Sequence, residues 1–532
     1  MSSISTPLFN QTSEQWSLLI DVIDRTCSNP SGSHCWLELS QRLSAISDES
    51  VLQKILQSLV KSIPDQGISG FYLATLLDLF THDRIFLKRA RALLKTMTPF
   101  DADRMSAFFN VAVQRALMCS GRRQNFKDFL EDVGLVELSQ DIARHLEKQI
   151  VINIEPRPVS HIKKIAIVAP QLRSMIHPPT QMALHQAELL SRNGVETRLF
   201  SCQEGVGPGF DHLYGTGASE KTFQVDLQPW LTSVGAGVTV HLGDQRFSLM
   251  RRWLDILKEI TLFAPDLILF VGLHSGLLSS LYKKYPILGL GTNSVPPMVP
   301  TDVWLSSDKK LSGLDSSTWG DVFPASLAWY HPYRIQRKTM SARLTRSELG
   351  IDDHKLVLIS LGSHLDSAIQ GLWAKKMCQL INEHADVVWL MIGGAGRFPV
   401  ALQGIQESRL QLMPYTIQVQ AFMMASDIYV NPPIMGGGFS VAEAMQIGLP
   451  VVSFADSDGG DKVGDMAVTD MDSYFGLLRK LISDRPLRAE MGTQLQRQFT
   501  QQLDLDHSDA SLLRACAITA QRYNQRIISV SS

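Results

Sequence analysis

The strongest constraint on this chain is an alternation: short apolar, β-branched runs, each followed by a helical pattern, in two separate series. The first series runs through 164–170 (KIAIVAP), 194–200, 237–242, 266–272, 286–291 and 302–307, with helical patterns such as 180–193 and 249–264 between the runs. The second begins at 355–361 (KLVLISL) and continues through 387–392 (VVWLMI), 427–431 and 450–454. Parallel strands need crossover connections, usually helices, so each series predicts an open parallel sheet covered on both faces. The 532 residues are too many for one core, and two such sheets can face each other across a cleft.

Residues 1–150 carry only helical signals. Trp16, Leu19, Ile20 and Ile23, then Val51, Ile55 and Leu59, then Leu73, Leu76, Leu77 and Phe80 recur three and four apart, without β-branched alternation. No 34-residue helical repeat period is evident, so this part reads as a packing or dimerisation domain, with a superhelical peptide groove as the alternative. The expected organisation is an all-helical domain at 1–150, a Rossmann-like domain at 161–335, a second at 345–510, and a C-terminal helix and tail at 511–532 that returns to the first sheet. The proline-bearing stretch 151–164 and the Arg- and Lys-rich stretch 333–349 are the linkers.

Bulk properties exclude several functions. A net charge of −2 shows no basic excess that would call for nucleic acid or an anionic membrane as a partner. The N-terminus lacks a basic region followed by an apolar one, and no apolar run approaches the roughly 18–20 residues of a membrane span. The six cysteines have no metal-ligand spacing and suit free thiols in a reducing cytoplasm. The cluster 456–461 (DSDGGD) follows a strand and has no twelfth-position glutamate, so it is expected to be a polar loop rather than a calcium loop.

The segment 431–454, NPPIMGGGFSVAEAMQIGLPVVSF, is the most informative. An apolar strand runs into Gly436, Gly437 and Gly438, and a helix starts near Phe439 or Ser440. Glycines admit close approach to the main chain, and first-turn N–H groups with the helix dipole attract phosphate. Glu443, within the first turns, can accept two hydrogen bonds from the vicinal diol of a ribose. The plainer reading is a flexible loop before a helix-start carboxylate.

The order Glu443–Ala444–Met445 then Gly448–Leu449–Pro450–Val451–Val452 resembles the donor motif of GT-B glycosyltransferases, and is close to the family-4 pattern in which the glutamate binds ribose. The family-4 glutamate seven residues upstream is replaced here by Met435 and the glycines. His177–Pro178–Pro179–Thr180, at the mouth of the first sheet, is similar to the His-Pro-Thr segment of family 41, the O-GlcNAc transferases and bacterial cytoplasmic N-glucosyltransferases. The all-helical N-terminal region is similar to the second of these branches. Family 41 also carries a lysine in the loop after the first strand of the C-terminal domain; Gly362–Asp366 has none, leaving Arg397, Lys375 or Lys462 to neutralise the diphosphate.

The resemblance implies a GT-B fold and a cytoplasmic, metal-independent transferase without a cofactor. It would move a hexosyl or N-acetylhexosaminyl group from a UDP-sugar to an acceptor, a protein side chain among the candidates. It makes His177 the candidate base, or alternatively a group that only bonds the donor or main chain. From position alone, His274 and Asn293 are candidate acceptor contacts; an ordinary loop histidine is the plain alternative for His274. Two rivals remain: a transferase acting on a lipid or glycan, and a catalytically silent subunit that uses its helical domain to hold a partner or join an oligomer.

Overall fold

The computed structural model describes residues 49–531 except 62–66, 82, 98, 151, 153, 175–176, 205–225, 229, 231–237, 293–294, 317, 339–343, 363–364, 366–368, 394–401, 415 and 417, together with scattered positions before 49. Two parallel sheets follow a helical region. The first has the order β3 (Thr239–Leu242), β2 (Glu196–Ser201), β1 (Lys164–Ala169), β4 (Leu267–Val271), β5 (Ile287–Leu290), β6 (Val303–Ser306), β8 (Ser326–Tyr330), β7 (Asp315–Ser316), and the second β11 (Leu410–Met413), β10 (Val387–Ile392), β9 (Leu356–Leu361), β12 (Ile428–Val430), β13 (Val451–Val452). Every adjacent pair is parallel except β7 (Asp315–Ser316), which runs antiparallel to β8 (Ser326–Tyr330) at one edge.

The central strands β1 (Lys164–Ala169), β4 (Leu267–Val271), β9 (Leu356–Leu361) and β10 (Val387–Ile392) are buried almost throughout. That is why their sequences read as continuous apolar runs: both faces are covered. Side chains of the first sheet sort by parity. Ile165, Ile167, Leu267 and Leu269 join one core with Leu512, Ala515 and Cys516 of the C-terminal helix Asp509–Ser531. Ala166, Val168, Ile268 and Phe270 join the opposite core.

That second core is continuous with the helical region. Phe109, Ile142 and Leu146 pack in the same cluster as Phe270, Trp253 and Leu277. Polar links reinforce the junction: Arg252 Nη2 pairs with Asp103 at 2.9 Å, and Ser106 Oγ donates to the main-chain oxygen of Glu204 at 2.8 Å. The helices therefore form one wall of the first Rossmann-like unit rather than a module on a tether.

The chain crosses between the two sheets twice, and the crossings lie side by side. Leu505 N donates to Ile335 O at 3.0 Å, Arg334 N to Leu503 O at 3.3 Å, and Arg337 Nε to Asp504 Oδ2 at 3.0 Å. The C-terminal helix then returns to the first sheet, where Arg526 Nε meets Asp302 at 2.9 Å. Among the described residues, no helix is long and apolar enough to cross a membrane, and no group of three His, Cys, Asp or Glu side chains is placed to hold a metal.

Candidate functional site

Strand β12 (Ile428–Val430) ends at Asn431, and its parallel partner β13 (Val451–Val452) ends beside it. Asn431 N donates to Val452 O at 2.9 Å, and the Tyr474 hydroxyl donates to Asn431 O at 2.8 Å, fixing the strand ends from which the glycine loop departs. The loop leads into the helix Gly438–Gln446.

The three glycines have different reasons to be glycine. Gly437 has φ +88° and lies so close to Asn431 that a Cβ would sit 2.6 Å from Oδ1. Gly438 faces Asp458, whose Cβ and main-chain oxygen would each be 3.2 Å from an added Cβ. Gly436 has an ordinary backbone and open space around it, so nothing within the protein requires its missing side chain. The helix has no side-chain cap and no acidic residue in its first turn. Its first amides are thus available to an outside acceptor.

The loop lies at a junction of all three regions. Met435 is buried in the core shared by the helices and the first sheet, while Phe439 packs against both the first-sheet and second-sheet cores. A cleft opens here. Met182, Gly291, Thr292, Trp304, Leu305, Ser307 and Arg334 line it from the first unit, and Gly438, Phe439, Asp458 and Lys462 from the second. Trp304 presents a buried indole N–H without a hydrogen-bond partner. Arg334 is buried, and its guanidinium donates to the main-chain oxygens of His331, Tyr333 and Leu305; burial lowers its pKa to about 10 against the opposing fields of Asp458 and Asp461.

Glu443 is 5% exposed and holds the ammonium of Lys338, which lies in the segment crossing between the sheets. Gln446 of the same helix bonds the Lys338 main chain in both directions, at 2.7 and 3.3 Å. The carboxylate expected to bind ribose is therefore already salt-bridged, and a diol would have to share it or displace the lysine.

His177 ends the turn before helix Pro178–Arg192, with Nδ1 2.8 Å from Thr180 Oγ1. That buried hydroxyl also accepts from Arg173 N at 2.9 Å. Sending its own proton to Nδ1 satisfies it fully and leaves Nε2 protonated, which suits donation of a hydrogen bond. Taking a proton at Nε2, the task of a base, needs the other tautomer.

His274 lies away from the cleft lining. It is buried against the Phe109 ring of the helical region, 4.6 Å between centroids, and Nδ1 donates to Met298 O at 3.3 Å. In this position it joins the helical region to the first unit. Asn293 and Arg397 lie outside the described residues. Of the other cations considered for the diphosphate, Lys375 is exposed on the helix Gly371–Glu383, and Lys462 lines the cleft.

The carboxylates of 456–461 serve the junction. Asp456 O accepts from Arg123 N at 3.0 Å, and Asp461 binds the Arg123 guanidinium and the Ser307 hydroxyl. Trp304, Ser307, Arg334, Lys338 and Arg123 were not legible as site residues, because each sits in an ordinary strand, linker or helix sequence. Only the density of basic residues in 333–349 hinted at Arg334 and Lys338.

Burial keeps several histidines neutral. It lowers His177 to about 3 with help from Arg173, His185 to about 4 with help from Lys338, and His274 to about 4. The unfolded chain, with histidines near 6.5, takes up protons first, so stability present above that pH is lost as pH falls toward 4. Each such histidine can contribute up to about 1.4 kcal/mol per pH unit. Buried Glu204 and Asp78, raised to about 7 and about 6, oppose this because their folded forms take up protons first, but fewer groups act that way; the thermal midpoint should be lower at pH 5 than at pH 7.5, and a midpoint higher at pH 5 would contradict the balance.

Residues 356–484 match the family described as "Glycosyl transferases group 1". A search of curated proteins gave no match. Among solved structures, an O-GlcNAc transferase mutant from Thermobaculum terrenum aligns over 99% of this chain and 100% of that one, with TM-score 0.54 and 14% identity. A glycosyltransferase from Rickettsia africae aligns over 68% of this chain and 99% of that one, with TM-score 0.46 and 10% identity. The whole-length likeness is one of fold: two facing α/β units preceded by helices, the GT-B arrangement. The residues that match the group 1 glycosyltransferases, 356–484, fall in the second unit.

Proposed function

We propose that this glycosyltransferase holds a UDP-sugar in the cleft between its sheets. The diphosphate sits against the first-turn amides of the helix Gly438–Gln446, and the ribose lies on Glu443. The sugar passes to an acceptor entering from the first unit, and the family-41 resemblance favours a protein side chain. The observation that carries this reading is the uncapped helix start opening on the cleft beside a glycine, Gly436, that internal packing does not explain.

Breaking the anomeric bond leaves charge on the departing diphosphate, and preorganised main-chain donors can meet it without a metal ion. His177 is assigned to the donor or acceptor as a hydrogen-bond donor through Nε2; its base role requires a tautomer change on substrate binding. A carboxylate already neutralised by Lys338 favours, as the second reading, a subunit that binds no donor.

Calorimetric titration with UDP and UMP, on the natural chain and on Gly436→Ala, tests the reading. An added methyl meets nothing in the free protein, so folding should be unaffected. It should obstruct an approaching phosphate and weaken UDP by about tenfold, near 1.4 kcal/mol. UDP affinity unchanged by Gly436→Ala would remove the phosphate from this loop. Absence of nucleotide binding altogether would favour the silent subunit.

A further inference from the structure

We propose that Lys462 is the cation that meets the diphosphate, and that Arg123 of the helical region is a positioning residue that keeps it available by neutralising Asp461. This rests on the donor-site reading and identifies the charge which that reading lacks. A helix N-terminus offers roughly half a unit of positive charge, too little by itself for a diphosphate leaving group.

Two described cations line the cleft. Arg334 spends its guanidinium on three main-chain oxygens, as described above. Lys462 is 5% exposed, and among the described residues its ammonium has no hydrogen-bond or ion-pair partner. It shares the cleft wall with Gly438. Burial and the charges of Arg334 and Arg123 lower its pKa, while Asp458 and Asp461 act the other way. An ammonium with this little access to water gains when an arriving phosphate bonds it.

The neighbouring carboxylate would ordinarily oppose an anion. Here Asp461 has both oxygens engaged: Oδ1 accepts from the Arg123 guanidinium and Oδ2 from Ser307 Oγ at 2.9 Å. Arg123 is held in place because its helix, Arg123–Val133, starts against the loop. Arg123 N donates to Asp456 O, Arg122 Nη2 donates to Thr469 O at 3.1 Å, and Gly121 approaches Pro433 so closely that a Cβ would be 2.9 Å from its oxygen. Lys462, Arg334 and Arg123 are set against Asp458, Asp461 and Asp308, the last 3.9 Å from the Arg123 guanidinium, so cations and carboxylates balance three to three. Without Arg123 the balance turns negative, and the Asp461 field falls on Lys462 and on the phosphate.

Titration of UDP and UMP separates the outcomes, because the second phosphate is the group at issue. Lys462→Met should weaken UDP about thirtyfold and UMP about threefold or less. Arg123→Gln should also weaken UDP preferentially, Arg123→Lys should not, and Arg123→Gln combined with Asp461→Asn should recover UDP affinity to within about threefold of the natural chain. A merely structural role for Arg123 would move UDP and UMP together and would not be rescued by removing a second polar contact. If Lys462→Met leaves the UDP-to-UMP ratio unchanged while Gly436→Ala still weakens UDP, this inference fails and the donor site stands. If the natural chain binds neither nucleotide, both fail.

Discussion

Glu443→Ala is expected to weaken UDP binding about a hundredfold, close to 3 kcal/mol, with little change in thermal stability. A carboxylate bonding two ribose hydroxyls makes charge-assisted hydrogen bonds of about 1.5–3 kcal/mol each, offset in part because the free protein already satisfies one oxygen with Lys338. The Lys338 side chain is 38% exposed, so it returns to solvent cheaply once its partner is gone. Glu443→Gln keeps the shape and loses the charge, and should fall between the natural chain and alanine. Calorimetry with UDP and uridine checks the assignment. Since ribose is common to both ligands, both should weaken together, unlike the Lys462 variant. Wild-type affinity in Glu443→Ala would place the ribose elsewhere.

The second large effect is on folding. Gly437→Ala should destabilise the second unit by about 3 kcal/mol, lowering its thermal transition by roughly 6–12 °C. A left-handed backbone costs an alanine about 1–2 kcal/mol, and its methyl would be driven into Asn431 Oδ1. That side chain cannot retreat. It is 1% exposed, donates to Ser453 Oγ at 3.0 Å, and is closed off on the other side by Gly459, where an added Cβ would sit 2.5 Å from Nδ2. Gly436→Ala, one residue earlier, should leave the transition unmoved. Equal melting of Gly437→Ala and the natural chain would contradict this packing.

Local pattern carried the parts of the molecule that local physics determines. Fully buried parallel strands gave β1, β4, β9 and β10 as continuous apolar runs, and the strand–glycine–helix order located the loop at Gly436–Gly438. Long-range contacts left no such trace. The Arg123–Asp461 pair joins residues 338 apart, so nothing near 123 marks that helix as part of the cleft; residues 456–461 read as a polar loop at the cleft rim, whereas a short helix, Asp458–Val463, starts there. His274 follows a strand, as cleft residues often do, yet the Phe109 ring covers it. Lys338 occupies Glu443 from a segment that read as a linker.

The most direct measurement is a crystal structure of the protein with UDP bound. The expected result is a diphosphate within hydrogen-bond reach of the main-chain N–H groups at the start of the helix Gly438–Gln446, beside Gly436, with the ribose hydroxyls on Glu443. A UDP bound away from that helix start, with Glu443 still closed on Lys338, would contradict it.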